Sequence, residues 1–116
     1  MAKLSTHVLD TVHGTPAAGV LIELFALDGA SARLLVRVHT NTDGRSAQPL
    51  LEGVAVTSGR YRLVFHIGDY FRAKGVTLAA PPFVDAVPVE FGLEAGGSYH
   101  VPLLCSPWAY STYRGS

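Results

Sequence analysis

Two histidines and an arginine are the residues of this sequence best suited to acid–base chemistry near neutral pH. His7 lies in the strand-like run Leu4–Asp10, and His100 lies in a second such run, Tyr99–Leu104. An imidazole with its usual pKa of about 6.5 can both take up and release a proton. Arg45 follows an Asp-Gly turn, and its planar, charged guanidinium suits a carbonyl-rich or anionic ligand. If the two runs pair as strands, the three side chains can activate a water molecule and stabilise an oxyanion.

The last ten residues, Pro107–Ser116, form an unusual chain end. Chain ends are commonly small, polar and frayed. This one holds the only tryptophan of the chain, two of its five tyrosines, an arginine and three hydroxyl residues. Because ordering such bulky side chains costs conformational entropy, the tail is predicted to be a docked segment with a function. It follows the run that contains His100, so we expect it to share a surface with that histidine.

Other kinds of site find less support in the sequence. There is no His-x-His, no histidine pair at helical spacing and no cysteine pair, so we expect no bound metal. The glycines lack the spacing of a phosphate-binding loop, and no Gly-x-Ser-x-Gly motif marks an activated serine. Cys105 is expected to be a buried small apolar residue. Surface or packing roles are expected for the remaining histidines, which are His13, His39 and His66.

Composition predicts a single domain spanning residues 1–116, long enough to bury a core without disulfides or metal ions. Nine basic and nine acidic residues give no net charge, which offers no support for nucleic-acid or acidic-membrane binding. No signal-type or membrane-spanning segment of about 18 apolar residues is present, so a cytoplasmic location is expected. A neutral and rather apolar chain also favours an oligomer.

Apolar and polar residues alternate along most of the chain, and this period of two is typical of β-strands. Turn residues close the short runs, which predicts an all-β sandwich or barrel. Val20–Leu27 is apolar on both faces except at Glu23 and is expected inside a sheet. Pro88, in the run Val84–Leu93, predicts an edge strand or a bulge. Further strands are predicted at Leu4–Asp10, Arg33–His39, Arg60–Ile67 and Tyr99–Leu104, with a weak one near Ala47–Leu51.

One short helix is predicted at Asp69–Lys74. Gly68-Asp69 supplies an N-terminal cap and Gly75 a left-handed stop. The proline-rich segment Ala79–Pro82 is predicted to be a loop.

The motifs described so far resemble those of the 5-hydroxyisourate hydrolases, also called transthyretin-related proteins. The likeness covers nearly the whole chain. The closing Tyr113-Arg114-Gly115-Ser116 is the signature that separates these hydrolases from the thyroxine-carrying transthyretins. Cys105 and Ala109 stand where the family would be expected to have Leu and Gly. The matching segments are Leu4–Asp10, Gly14–Ala17, Thr42–Arg45, Gly59–Phe65, Tyr70-Phe71 and Tyr99–Leu104 through Ser116.

This resemblance implies a transthyretin-like sandwich of two four-stranded sheets with one short helix. It implies a homotetramer, a dimer of dimers, with active sites in clefts between subunits. The implied reaction is hydrolysis of 5-hydroxyisourate, a small-molecule substrate from urate degradation, to 2-oxo-4-hydroxy-4-carboxy-5-ureidoimidazoline, without a cofactor or metal. The family's catalytic residues carry over to His7, Arg45 and His100. Its substrate-binding residues carry over to Tyr113, Arg114, Gly115 and Ser116.

Two other functions are weighed against this one. A transthyretin-like protein that binds and carries a hydrophobic small molecule would need an apolar channel, which the polar histidine, arginine and tail residues do not favour. A purely structural β-sandwich would leave the bulky tail without a role. Which of the two histidines contacts the attacking water is left open.

Overall fold

The computed structural model describes residues 2–115 and has a mainly β architecture. One α-helix occurs among these residues, α1 (Ile67–Ala73), together with a 3₁₀ turn at Gly53–Ala55. No helix within 2–115 is long and apolar enough to cross a membrane. The strands are β1 (Lys3–Ser5), β2 (Val8–Asp10), β3 (Thr15–Pro16), β4 (Leu21–Asp28), β5 (Ser31–His39), β6 (Leu51–Glu52), β7 (Gly59–His66), β8 (Ala86–Leu93), β9 (Ser98–His100), β10 (Leu103–Cys105) and β11 (Tyr110–Thr112).

The strands form two layers, which confirms the predicted all-β sandwich with four-stranded sheets. One layer is a sheet of order β5-β4-β7-β8, in which β4 is internal and the proline-containing β8 is an edge, both as predicted. The other layer consists of the ladders β6-β1-β9 and β11-β10-β2-β3. Because β1 and β2 belong to one run of chain, as do β9 and β10, the second layer contains two long strands that are each interrupted once.

The core lies between the layers, and it determines which side chains of the second layer face outward. Along the run from β1 to β2, Leu4 and Val8 are fully buried in the same apolar cluster as Leu24 and Phe65 of the opposite sheet. Since side chains alternate along a strand, Ser5 and His7 face the outside of the sandwich, whereas Thr6 is buried on the same side as Leu4 and Val8. His7 is only half-buried.

The predicted N-terminal cap of the helix is wrong. The helix begins at Ile67, and Asp69 lies within its first turn instead of capping it. The cause is a tertiary contact, because the backbone amides of Ile67 and Gly68 both donate to the carbonyl oxygen of Asp85, each at 3.1 Å. The predicted stop is confirmed, since Gly75 follows the helix in the left-handed region with φ of 81°.

A buried carboxylate fixes the helix to the second layer. Asp10, at the end of β2, is fully buried and accepts hydrogen bonds from the Tyr70 hydroxyl at 2.7 Å and from the amide and ring of His13. Burial by itself raises the pKa of Asp10, but the hydrogen bonds from Tyr70 and His13 outweigh it and leave the pKa lowered. Cys105 is buried nearby, as predicted, and desolvation raises its thiol pKa to about 12.

Asp10→Asn is expected to destabilise the protein by about 2 kcal/mol, since hydrogen bonds to a buried charged group contribute roughly that much. Asp69→Asn is the matched control, because Asp69 is exposed and its carboxylate pairs with Arg72 on the surface. The lowered pKa means that the stabilisation from Asp10 is complete above its unfolded-state pKa and is lost as the pH falls through the folded-state value. Thermal unfolding of both variants tests this at neutral and acidic pH, and equal unfolding temperatures would contradict it.

Candidate active site

Pairing between the N-terminal and C-terminal strands brings His7 and His100 together. β1 pairs with β9 in parallel, with Ser5 opposite His100, and β2 continues in parallel with β10. Pro102 has no amide hydrogen and separates β9 from β10. Backbone hydrogen bonds join the two runs on either side of Pro102. The amide of Val101 donates to the Ser5 carbonyl and that of Leu103 to the His7 carbonyl, each at 2.9 Å. The two histidines lie at this interruption.

The two imidazoles are in direct contact. Nδ1 of His7 lies 2.6 Å from Nε2 of His100, and the rings stack with centroids 4.9 Å apart. Desolvation lowers the pKa of both histidines, and the charge of Arg45 lowers both further. Electrostatic interactions with His7 and Lys3 also lower the pKa of His100. The lowered pKa values favour the neutral form of both rings, the state in which an imidazole can act as a base.

Arg45 is placed beside His7 by a tight turn that packs against β2. An isolated antiparallel bridge joins His7 to Arg45, and the amide of Val8 donates to the carbonyl of Gly44 at 2.9 Å. Gly44 has φ of 73°, and a Cβ there would lie 2.5 Å from the Val8 carbonyl oxygen, so only glycine fits. The Asn41 side chain accepts from the amide of Arg45 at 3.2 Å and closes the turn. The predicted Asp-Gly turn is confirmed.

The C-terminal tail is docked, as predicted, and it contacts His100 through the backbone. The Gly115 amide donates to the His100 carbonyl at 2.7 Å. The Thr112 hydroxyl donates to the Pro102 carbonyl at 2.7 Å, which holds β11 against the interruption in the ladder. Ser116, predicted to bind substrate, lies outside the described residues.

Two of the predicted substrate-binding residues line a different cavity. The guanidinium of Arg114 lies 4.6 Å from the centre of the Tyr99 ring, and with Tyr113 it borders an apolar cavity of about 250 Å³ against β8. Arg45 instead borders a separate cavity of about 160 Å³, together with Ser5, Thr6 and residues 46–49. Within one subunit, the structure thus groups His7, His100 and Arg45 but places the side chains of Tyr113 and Arg114 elsewhere.

Replacing Gly115 with alanine is expected to reduce kcat about tenfold. The added methyl group would displace the ring of His100, and a displaced catalytic group lowers the rate even when the fold is unchanged. A Cβ at this position would lie 3.1 Å from Cβ and 3.2 Å from Cδ2 of His100, so the ring must shift. Gly92→Ala is the matched control, since its nearest atom is 3.9 Å away. Steady-state kinetics on variants of unchanged molecular size test this, and equal rates for both would contradict it.

The sequence analysis did not single out two polar residues, Ser5 and Asn41, that contact His100 and Arg45 respectively. The Ser5 hydroxyl lies 2.8 Å from Nδ1 of His100. Its position two residues before His7 in a strand was the available signal, because i and i+2 share a face. Nothing in the sequence distinguished Asn41 from an ordinary turn residue. Among residues 2–115 no three metal-ligating side chains cluster closely enough to hold an ion.

Comparison with known proteins assigns the family. The model of the HIUase/Transthyretin family matches residues 4–115. The chain belongs to this family. A curated relative, 5-hydroxyisourate hydrolase 2 of Rhizobium meliloti, is 55% identical over 115 residues, covering 98% of this chain and 96% of the relative.

Solved structures of the family share the fold. The 5-hydroxyisourate hydrolase of Klebsiella pneumoniae has a TM-score of 0.80 at 34% identity, covering 99% of this chain and all of that one. Sea bream transthyretin, solved in complex with thyroxine, has a TM-score of 0.87 at 26% identity, covering 98% of this chain and 95% of that one. Proteins with this fold therefore include both a hydrolase and a transthyretin solved with thyroxine, so the site residues of this chain bear on its function.

Proposed function

We propose that this protein is a 5-hydroxyisourate hydrolase that opens the substrate ring to give 2-oxo-4-hydroxy-4-carboxy-5-ureidoimidazoline. The observation that most supports this is the contact between the imidazoles of His7 and His100. A backbone bridge between His7 and Arg45 adds the arginine to this group. Relatives named as this enzyme are about half identical to the chain over almost its full length. The pair offers neutral imidazoles to the substrate, and the arginine offers a fixed positive charge.

The reaction follows from these groups. A neutral imidazole of the pair removes a proton from water as the oxygen adds to a ring carbonyl. Arg45 stabilises the negative charge that develops on the carbonyl oxygen. Collapse of the tetrahedral intermediate breaks the carbon–nitrogen bond, and the nitrogen takes the proton that the imidazole holds. The acyl carbon becomes the carboxylate of the product, and no metal or covalent intermediate is needed.

The alternative function, transport of a hydrophobic small molecule, is less well supported. Sea bream transthyretin was solved with thyroxine and has the same fold. In this chain, however, the outer face of the second layer carries Ser5, His7 and His100, which are polar and hydrogen-bonded to one another. An apolar ligand would displace water from the remaining polar atoms of these side chains without offering a hydrogen bond in return, which is costly.

The proposed assembly is a homotetramer, a dimer of dimers, in which a second subunit covers the site. The histidine pair lies on an open sheet face, whereas catalytic sites are usually enclosed clefts. Large apolar side chains remain exposed near the tail, with 64% of Trp108 and 56% of Tyr113 accessible. The edges at β8 and β11 also offer backbone groups for pairing between copies. A cytoplasmic location remains a prediction.

The pH dependence of kcat/KM is expected to follow the lowered histidine pKa values. Activity should stay constant down to a pH below the ordinary histidine value of about 6.5 and then fall as the base is protonated. Arg45→Gln removes one cause of the lowering at His7, so the acid limb should move to higher pH as the rate drops. Rate profiles of both proteins from pH 5 to 8 test this, and an unmoved limb would contradict it.

The proposed function is tested by following the ultraviolet absorbance of 5-hydroxyisourate made freshly from urate. The protein is expected to speed the loss of this signal well beyond spontaneous decay. The rate should be unchanged after treatment with a metal chelator. Decay at the spontaneous rate in the presence of protein would overturn the proposal.

A further inference from the structure

Ser5 joins the histidine pair in a chain of three hydrogen-bonded side chains. Its hydroxyl oxygen lies 2.8 Å from Nδ1 of His100, whose Nε2 lies 2.6 Å from Nδ1 of His7. The parallel register sets this contact, because Ser5 is directly opposite His100. Ser5 also borders the cavity of about 160 Å³ that Arg45 lines. The serine therefore contacts one imidazole and faces the same space as the arginine.

Only two arrangements of protons satisfy this chain when both imidazoles are neutral. In the first, Ser5 donates to Nδ1 of His100, His100 donates from Nε2 to Nδ1 of His7, and His7 carries its proton on Nε2. In the second, every bond is reversed: His7 donates from Nδ1, His100 donates from Nδ1 to the Ser5 oxygen, and Nε2 of His7 has a free lone pair. A hydroxyl is able to act in both, since it is both donor and acceptor.

The second arrangement is the one that supplies a base. Nε2 of His7 can then accept a proton from water, and the proton on Nδ1 can pass to Nε2 of His100. The resulting imidazolium of His100 keeps its Nδ1–H on the Ser5 oxygen, and hydrogen bonds to a charged donor are the stronger kind. The other charged groups that influence the pair are Arg45 and Lys3, and both are cations that favour a neutral ring.

We propose that Ser5 is a positioning residue whose hydroxyl accepts from Nδ1–H of His100, so that both histidines adopt the Nδ1–H tautomer and Nε2 of His7 is the base. This inference rests on the proposed function and names the histidine that contacts the attacking water. Ser5 acts through His100 and takes no part in bond formation itself.

Kinetics of Ser5→Ala and Ser5→Thr give the first test. The alanine variant is expected to lose about fivefold in kcat, with KM within about twofold of the wild type, since it lacks the hydrogen bond that strengthens when His100 becomes charged. Threonine keeps a hydroxyl and suits a strand, so it should restore the rate to within about twofold. Equal kcat for the alanine variant and the wild type would overturn the proposal, as would equal losses for alanine and threonine.

Nitrogen-15 NMR of histidine-labelled wild-type protein gives a second test that needs no variant. Both His7 and His100 are expected to show protonated Nδ1 and unprotonated Nε2 at pH 7, the rarer tautomer of free histidine. Protons on Nε2 of both rings would overturn the proposal. The spectrum decides the tautomers even if the protein does not hydrolyse 5-hydroxyisourate, so failure of the proposed function and failure of this inference are separable.

Discussion

His7→Asn is expected to lower kcat for 5-hydroxyisourate by at least about a hundredfold, the usual contribution of a general base. The asparagine amide can replace the contact that Nδ1 of His7 makes with His100 at 2.6 Å, but it offers no basic nitrogen in the place of Nε2. The loss should therefore appear in kcat, with little change in molecular size or thermal stability. Initial rates from the absorbance of freshly made substrate measure it.

His39→Asn is the matched control for this experiment. His39 ends β5 in the opposite sheet, and its side chain is exposed. The control should keep a rate close to that of the wild type. If His7→Asn also kept such a rate, His7 would not be the base and the assignment of the site would be wrong.

Removing residues 113–116 is expected to reduce kcat/KM by about a hundredfold, comparable to losing a well-placed polar contact in a catalytic site. The truncation deletes the bond from the Gly115 amide to the His100 carbonyl and the stacking of Arg114 on Tyr99. It leaves β11 and its pairing with β10 in place. The predicted role of Ser116 in substrate binding is removed in the same experiment.

Circular dichroism and size measurement show whether the truncated protein keeps its fold and assembly. Arg114→Ala is the matched comparison, because it removes the stacked side chain but keeps the backbone bond of Gly115 to His100. We expect it to lose far less activity than the truncation. A correctly assembled truncated protein with nearly full activity would show that the tail has no part in the site.

Local patterns predicted the sandwich because side chains alternate between the two faces of a strand, so the sequence of a strand indicates which of its residues are buried. Alternation along Leu4–Asp10 predicted a strand, and in the structure His7 lies on the opposite face of this run from the buried Leu4 and Val8. Where tertiary contacts compete, local signals fail. The cap predicted at Asp69 is overridden because the carbonyl of Asp85 accepts from Ile67 and Gly68.

The contacts within the candidate site were harder to predict, because they depend on register between distant segments. Ser5 and His100 are separated by 95 positions, and a shift of one residue would place them on opposite faces. Residue types and the family resemblance both grouped His7, Arg45 and His100, while the contacts among them came from the structure. The resemblance also grouped Arg114 with them, whereas the Arg114 side chain packs on Tyr99 in this subunit.

The central claim is that the group of His7, His100 and Arg45 directs water to a ring carbonyl of 5-hydroxyisourate. Its most direct test is the rate at which labelled product forms in ¹⁸O-water, followed by mass spectrometry for the wild type and for a His7→Asn/His100→Asn double variant. We expect the wild type to form ring-opened product with one ¹⁸O in the new carboxylate, much faster than without protein, and the double variant to match the spontaneous rate. Equal rates for the two proteins, or unlabelled carboxylate in the wild-type product, would contradict the claim.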